Sequence, residues 1–315
     1  MIRPTTPGEW DTAYHAPVLI DEILELVGGR GLVLDGTVGG GGHSAALLES
    51  GSMVVALDRD PAAIHEVTER LGAAVVEGRF VPVLANYADI AEEPIAASRR
   101  FDGILLDLGI SSRQIDDPAR GFTFREGAPL DMRMGDDAVT DATTLLETYD
   151  EQSLAGIFRE LGDERRAIRL AREVVRRRER GGFATSDDFV GAIRAALGPR
   201  SGPGDFARLF QAVRIAVNRE LEGLQAALPL LRDRLAPDGL LLVIAYHSGE
   251  DRIVKHAFRA WDDPCVCPPR QPVCTCGMVP LGRTVTRRPI VPSDAEIERN
   301  PRARSARMRV WRRGA

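Results

Sequence analysis

The chain has 315 residues and 44% of them are hydrophobic, so one large domain or two modest domains with a substantial core are expected. No long apolar segment exists, and residues 1–11 lack the apolar centre of a signal peptide, which predicts a cytoplasmic protein without a membrane partner. The net charge of −5 excludes a generally basic protein that coats nucleic acid, and leaves a local basic face open.

The first informative stretch is a buried strand followed by clustered glycines. Leu32–Leu34 are apolar, Asp35 ends the strand, Gly39–Gly42 follow, and Ser44 is predicted to cap a helix over residues 45–49. A strand, a glycine turn and a helix N-terminus form the nucleotide-binding corner of a doubly wound sheet. The third glycine of the dinucleotide fingerprint is replaced by Ser44, which favours S-adenosylmethionine, a ligand without pyrophosphate. An ordinary tight turn is the alternative.

Further strands also end in polar or aromatic residues. The second strand ends at Asp58, where a carboxylate accepts the ribose hydroxyls of a bound nucleoside, and the fourth strand ends at Asp107. Because parallel strands bring their carboxyl ends to one edge, Asp35, Asp58 and Asp107 are predicted to share a rim. A purely structural Asp107 is the alternative. Tyr87 follows the third strand, and an aromatic residue there either stacks on adenine or belongs to the core.

The strand pattern stops after residue 112. Residues 113–205 are predicted to form a mainly helical domain, inserted into a sheet domain that consists of residues 1–112 and 206–315. One helix of the insertion has an arginine face, which is either solvated or in contact with an RNA backbone. Its members are Arg165, Arg169, Arg172, Arg176 and Arg180.

The sheet domain is predicted to resume with one helix over residues 206–235. Three polar residues of this helix share a face that is either exposed or lines a cleft: Gln211, Arg214 and Asn218. A fifth strand over residues 240–246 follows, and residues 284–290 and 305–311 are predicted to form a closing antiparallel pair.

A series of ordered motifs runs through nearly the whole chain. They are His15-Ala-Pro-Val-Leu, Asp35-Gly-Thr-Val-Gly-Gly-Gly-Gly-His-Ser, Asp58-Arg-Asp-Pro, Asp107-Leu-Gly-Ile-Ser-Ser-Arg-Gln, Arg120-Gly-Phe-Thr-Phe, Leu130-Asp-Met-Arg-Met, Phe210-Gln-Ala-Val-Arg-Ile, His247-Ser-Gly-Glu-Asp-Arg-Ile-Val-Lys and Asn300-Pro-Arg-Ala-Arg-Ser. This set resembles the bacterial RsmH (MraW) family. The resemblance implies a class I S-adenosylmethionine-dependent methyltransferase, with a Rossmann-like α/β sheet and an inserted helical domain that recognises the substrate.

The resemblance also implies a reaction and a site. The reaction is N4-methylation of a cytidine in the decoding region of 16S ribosomal RNA, with that RNA or the small ribosomal subunit as the partner. Asp107 is the predicted catalytic residue. The predicted cofactor contacts are Gly41, Gly42, His43, Asp58, Tyr87, Asp107 and Gln114. A non-catalytic ribosome-assembly factor and a methyltransferase with another substrate are the alternatives.

The chain departs from the usual pattern of this family at several positions. Tyr246 and Gly249 stand where the family has Phe and Leu, and Tyr87 stands where Phe is common. The stretch 205–209 replaces a Pro-Ala-Thr-Arg sequence. These departures concern the target-base pocket more than the cofactor site.

All cysteines lie in one short stretch, as Cys265, Cys267, Cys274 and Cys276. The usual zinc knuckle is C-x₂-C rather than C-x-C, so zinc, free thiols and a redox-labile loop all remain open and no metal ligand is predicted. Methylation of cytosine C5 needs a cysteine nucleophile, and no cysteine stands at the exit of the fourth strand, which favours an exocyclic nitrogen as the methyl acceptor.

Overall fold

The computed structural model describes residues 17–268, 271, 273 and 275–315, so the motif residue His15 and Cys274 lie outside the described residues. The chain forms two compact units. Unit 1 combines the part of the chain up to Gly109 with Leu221–Ala315, and unit 2 is Ile110–Glu220. Among the described residues, no helix combines the length and the apolar composition that crossing a bilayer requires.

Unit 1 is built on a mixed sheet. In the described part of the chain its strands are β1 (Leu32–Asp35), β2 (Met53–Asp58), β3 (Phe80–Leu84), β4 (Phe101–Asp107), β5 (Leu235–Ala245), β6 (Gly282–Thr284) and β7 (Arg307–Arg313). Their order is β3-β2-β1-β4-β5-β7-β6; β1 to β5 pair in parallel, and β7 is antiparallel to both β5 and β6. The chain moves outward from β1 and then returns to β4 on the other side, so β1 and β4 flank a topological switch point.

Helices occupy most of the remaining described residues. They are α1 (Ile20–Val27), α2 (Gly42–Glu49), α3 (Pro61–Arg70), α4 (Gly72–Val76), α5 (Pro94–Ala97), α6 (Ser112–Asp116), α7 (Ala142–Thr148), α8 (Glu151–Glu160), α9 (Ala167–Arg178), α10 (Ser186–Leu197), α11 (Pro203–Asn218), α12 (Glu220–Arg234), α13 (Ser248–Asp262) and α14 (Asp294–Arg299). Short 3₁₀ turns lie at Tyr87–Asp89, Pro118–Arg120 and Pro301–Ser305.

The central strands of unit 1 are continuously apolar because both faces of the sheet are covered. Along β5, Leu240 and Leu242 belong to the same buried cluster as Ile23 of α1. The alternate residue Leu241 belongs to a second cluster, which includes Leu228 of α12. Successive side chains point to opposite faces of a strand, so this alternation places helices on both sides of the sheet.

Unit 2 has a separate helical core. Apolar side chains of α7 to α11 form one buried cluster, which includes Leu145, Phe158, Leu170, Phe189 and Phe210. The rings of Phe189 and Phe210 lie 5.1 Å apart between their centroids. This unit therefore satisfies the requirement that a domain bury its own apolar faces.

The prediction of one helix over residues 206–235 is wrong, and with it the boundary at residue 205. The helix ends at Asn218, and Arg219 adopts a left-handed conformation with φ 50° before α12 begins. All of α11 belongs to unit 2, which ends at Glu220. The break falls at an arginine, where the sequence lacks the glycine that commonly ends a helix.

The polar face of α11 is largely a structural feature rather than an exposed one. Arg214 and Asn218 are buried. The Asn218 side-chain amide donates to the carbonyl of Met132 at 2.7 Å, and its oxygen accepts from the backbone N–H of Met134 at 2.8 Å. These bonds attach the irregular segment around residues 129–134 to the helix.

Two other predictions from sequence concern α9 and the closing strands, and only the second needs correction. The arginine face of α9 is partly neutralised, because Arg172 pairs with Glu151 at 2.9 Å and Arg176 pairs with Glu173 at 2.6 Å. The closing pair of strands exists, but its first strand is residues 282–284 rather than 284–290. Of the predicted strand, Ile290 forms only an isolated bridge to Met308.

Candidate active site

The three acids that end strands lie at one edge of the sheet. In the register of the strands, Asp35 is level with Ala56 of β2 and with Leu105 of β4. Asp58 and Asp107 each lie two residues further along their strands, so all three carboxylates belong to the carboxyl edge. Open α/β sheets bind ligands at this edge, beside the switch point between β1 and β4.

Asp35 is buried at the bottom of this edge. Its side chain accepts from the Ser44 hydroxyl at 2.7 Å and from the backbone N–H of Thr37 at 3.2 Å. Burial raises the pKa of the Asp35 carboxyl above its ordinary value, although His43 and the Ser44 hydroxyl act in the opposite direction. Ser44 therefore does not cap α2 as predicted, because the helix begins earlier, at Gly42, and the hydroxyl serves Asp35 instead.

The glycines of the turn at residues 39–42 are explained in two different ways, by packing and by access for a ligand. Gly39 and Gly41 both have positive φ values, 48° and 76°. A Cβ at Gly41 would lie 2.9 Å from Val67 Cγ1, so packing within unit 1 disfavours a larger residue there, and a Cβ at Gly42 would make a tight contact of 3.2 Å with Pro17. A Cβ at Gly39 meets no described atom within 4 Å, so the main chain there is open to a ligand.

Asp58 closes the glycine turn onto the end of β2. One carboxylate oxygen accepts from the backbone N–H of Gly39 and the other from the N–H of Asp60, each at 2.9 Å. Burial raises the pKa of Asp58 to about 6, and the nearby carboxylates of Asp60 and Asp35 add to the increase while the two amides oppose it. A carboxylate oxygen has two lone pairs, so each still has capacity to accept a ligand hydroxyl.

Asp107 at the end of β4 is held from three sides. Its backbone N–H donates to Thr37 Oγ1 at 2.7 Å, and Tyr246 donates its hydroxyl to Oδ1 at 2.8 Å. His43 Nδ1 lies 3.8 Å from Oδ2, and the Asp107 side chain is 16% exposed. Burial and the negative charge of Asp107 raise the pKa of Tyr246 well above its ordinary value, so the phenol stays protonated and remains a donor.

His43 links the start of α2 to the switch point. Its Nε2 lies 2.9 Å from the carbonyl oxygen of Val18, and a carbonyl only accepts, so Nε2 carries a proton. The other ring nitrogen faces Asp107. The structure thus places two predicted site residues side by side, because the buried imidazole ring of His43 lies next to the Asp107 carboxylate.

Tyr87 lies beside the start of the glycine turn. It begins the 3₁₀ turn after β3, and the Asn86 side chain caps that turn by accepting from the N–H of Ala88 at 3.0 Å. A Cβ at Gly36 would lie 3.5 Å from Tyr87 Cβ, so the aromatic residue is adjacent to the end of β1. This position agrees with either stacking on a nucleobase or a place at the margin of the core.

Comparison with known proteins identifies the family of this chain. The profile of the MraW methylase family matches residues 12–314. The chain belongs to the MraW methylase family. It is 60% identical over 311 residues to the ribosomal RNA small subunit methyltransferase H of Gemmatimonas aurantiaca, with 99% of this chain and 98% of the relative covered. The protein of that name from Heliobacterium mobile is 44% identical, with 94% and 98% covered.

The strand order confirms the predicted Rossmann-like α/β sheet, and membership of this family confirms a methyltransferase that uses S-adenosylmethionine as the methyl donor. The acidic rim fits that cofactor. Asp58 keeps free acceptor capacity for hydroxyls, Gly39 leaves the main chain approachable, and the carboxylates favour a positively charged sulfonium.

Gln114 of this MraW methylase lies in unit 2, at the start of α6. It is buried, and it forms a reciprocal capping box with Ser111. The backbone N–H of Gln114 donates to Ser111 Oγ at 3.2 Å, and Gln114 Oε1 accepts from the N–H of Ser111 at 3.1 Å. The side chain therefore has a local structural role, and a contact with the cofactor stays a prediction.

Tyr246 is a residue of the candidate site that the sequence did not identify. The sequence indicates no role for it, because its partner Asp107 is 139 positions away in the chain. The following residues start α13: His247 Nδ1 accepts from Gly249 N–H at 3.2 Å, and Glu250 accepts from Tyr246 N–H at 2.8 Å. This cap fixes the backbone that carries the tyrosine hydroxyl to Asp107.

Proposed function

We propose that this MraW methylase transfers a methyl group to N4 of a cytidine in the decoding region of bacterial 16S ribosomal RNA, in the cytoplasm. The names of its relatives support the small-subunit RNA as the substrate. The observation that carries the choice of reaction is the Asp107 carboxylate, held by Tyr246 at the switch point of the sheet. An oxygen acceptor at this place suits an amino group as the substrate.

The exocyclic amine of cytosine is a poor nucleophile because its lone pair is delocalised into the ring. We assign to Asp107 the role of accepting a hydrogen from N4. This bond localises the lone pair on nitrogen and fixes the direction of attack. Tyr246 occupies one side of the carboxylate, so it restricts the orientation in which the other oxygen accepts.

The balance of the reaction is simple. S-adenosylmethionine supplies the methyl group as a sulfonium, whose carbon–sulfur bond breaks as the nitrogen–carbon bond forms. The product nitrogen is then positively charged and loses one proton, for which Asp107 is the adjacent acceptor. Because proton loss follows methyl transfer, no strongly basic group is required at the site.

The substrate must present an unpaired or flipped base, since N4 of a paired cytidine is engaged in hydrogen bonds. We assign recognition of the surrounding RNA to unit 2, the inserted region of the sequence. The net charge of the chain is −5, so contacts with phosphate depend on local arginines and should weaken steeply as salt increases.

The experiment is mass spectrometry of 16S RNA from a deletion strain that is re-supplied with the wild type, Asp107→Asn or Asp89→Asn. Asp89 is an exposed acid in the same unit and serves as the matched control. We expect the N4-methylated cytidine to be absent from the deletion strain, restored by the wild type and the control, and absent with Asp107→Asn. Calorimetry with S-adenosylmethionine shows whether each variant still binds the cofactor.

The alternatives give different results. A cytidine that stays modified in the deletion strain excludes this RNA as the substrate. Restoration of subunit assembly by Asp107→Asn without methylation would indicate a non-catalytic assembly factor. Methyl transfer to free metabolites while ribosomal RNA is ignored would indicate another substrate.

A further inference from the structure

The long connection between α13 and β6 has an unusual construction. Residues 263–281 contain no helix or strand in their described part, and connections longer than about 12–15 residues without such structure are uncommon in compact domains. Apolar side chains in this segment point to solvent: Val266 is 78% exposed, Val273 is 71% exposed and Val279 is 68% exposed. The segment therefore has little apolar burial to hold its conformation.

The two ends of this segment are nevertheless firmly anchored to unit 1. The backbone N–H of Leu281 donates to the carbonyl of Trp261 at 3.0 Å. Asp262, at the end of α13, accepts from Thr284 Oγ1 at 2.5 Å and from the indole N–H of Trp311 at 2.9 Å. The two ends of the segment are thus held together by hydrogen bonds, and a cross-link within it would restrict its conformation further.

Three thiols converge inside this loop. The sulfurs of Cys265, Cys267 and Cys276 all lie within 4.8 Å of one another, and those of Cys265 and Cys276 are 3.7 Å apart. Four sulfurs around a tetrahedral zinc at about 2.3 Å are separated by about 3.8 Å along each edge. The separation of Cys265 and Cys276 therefore matches two ligands of one zinc ion.

The backbone around Cys267 also suits a thiolate. The N–H of Thr275 donates to Cys267 Sγ at 3.4 Å, a bond that stabilises negative charge on sulfur. Gln271 holds the surrounding turn, because its Nε2 donates to Thr275 Oγ1 at 2.8 Å and to the carbonyl of Val273 at 2.9 Å. The loop is arranged so that a donor faces one of the candidate ligands.

We propose that Cys265, Cys267 and Cys276 bind a structural zinc ion that holds this loop in place of an apolar core. Thiolates are soft ligands, which selects zinc over magnesium or calcium. Structural zinc is usually four-coordinate and needs one further ligand. Cys274, the remaining cysteine of the chain, lies outside the described residues. The C-x-C spacing did not predict the site because only the folded loop shows the convergence of the sulfurs.

The test is the metal content of the full-length protein, purified without chelator and measured by plasma mass spectrometry. We expect about one zinc per chain, and less than about a tenth of that in each of Cys265→Ser, Cys267→Ser and Cys276→Ser. Met278→Ser is the matched control, because it removes an exposed sulfur from the same loop and should keep the zinc. Replacement by cobalt(II) in the wild type should give the thiolate charge-transfer and tetrahedral d–d bands.

A second readout does not depend on the variants. In the wild type, a thiol reagent should release zinc in step with thiol modification, and removal of zinc should speed proteolysis between residues 263 and 281 several-fold. Freely reacting thiols without bound metal, disulfide-linked cysteines, or iron instead of zinc would each overturn the proposal. None of these measurements involves methyl transfer, so they are independent of the proposed function.

Discussion

An ion pair of unit 2 and the acidic rim of unit 1 treat buried charge in opposite ways. In unit 2, Arg214 forms two bonds with Glu220, at 2.8 and 2.9 Å, and the side chains are 9% and 10% exposed. In unit 1, the groups that bear on the pKa of Asp58 are backbone amides and the carboxylates Asp60 and Asp35. The charges of this pair in unit 2 neutralise each other, whereas the acidic rim of unit 1 keeps its charge available to a ligand.

The largest expected effect tests the rim. Asp107→Asn keeps the size of the side chain and removes its charge, so the carboxylate no longer accepts strongly from N4. We expect the single-turnover rate of methyl transfer to fall by about 10²–10⁴-fold. Rapid quench with excess enzyme measures this rate. A loss of less than threefold with saturating cofactor would show that Asp107 has no part in the chemistry.

The next effect tests the paired charges of unit 2. Arg214→Ala leaves Glu220 buried without its partner, so we expect the free energy of unfolding to fall by about 3–5 kcal/mol. Arg172→Ala is the matched control, because Arg172 and Glu151 form an exposed pair worth about 0–1 kcal/mol. Urea denaturation followed by circular dichroism measures both.

A second comparison sharpens that result. Replacing both partners, as Arg214→Met with Glu220→Leu, removes the charges together and should restore most of the lost stability. If Arg214→Ala and Arg172→Ala cost the same, burial has no influence on these pairs and the contrast between the units fails.

Sequence patterns predicted unit 1 well where the signal is local. Each strand that ends in an acid is a short apolar run followed by one carboxylate, and the parallel pairing then brings Asp35, Asp58 and Asp107 to the same edge. The break at Arg219 was missed because a left-handed arginine has no distinctive sequence signal. The role of Ser44 was misassigned, because its alternative partner Asp35 is close only after folding.

The site of unit 1 also depends on contacts that no local pattern contains. Tyr246 meets Asp107 only because β4 and β5 are adjacent in the sheet. The convergence of Cys265 and Cys276 depends on the path of an irregular loop. Hydrophobic periodicity predicts helices and strands and their buried faces. It does not predict which side chains from distant parts of the chain will meet.

A pH titration distinguishes binding from stability at Asp58. Its pKa is raised to about 6, so the folded state holds its proton more tightly than the unfolded state. The contribution of Asp58 to stability therefore falls as pH rises from about 4 to about 6, by up to about 3 kcal/mol. Cofactor affinity should move the other way, because only the ionised carboxylate accepts strongly from the ribose hydroxyls.

Calorimetry with S-adenosylmethionine between pH 5 and pH 8 measures the second half of this prediction. We expect the dissociation constant to be flat above the Asp58 pKa of about 6 and to rise toward tenfold per pH unit below it. Asp58→Asn should bind more weakly and lose this inflection. An unchanged inflection in the variant would assign the titration to another group of the rim.

The smallest expected effect concerns Tyr246, whose hydroxyl donates to the Asp107 carboxylate. A hydrogen bond to a charged group contributes about 1.5–3 kcal/mol, but only the part that differs in the transition state affects the rate. We therefore expect Tyr246→Phe to lower the single-turnover rate by less than about tenfold.

The acid limb of its pH–rate profile should move to higher pH, because the carboxylate loses a donor that favours its ionised form. Tyr149→Phe, at an exposed tyrosine of unit 2, should change neither quantity. A rate loss as large as that of Asp107→Asn, without a shift of the acid limb, would mean that the hydroxyl rather than the carboxylate contacts the reacting amine.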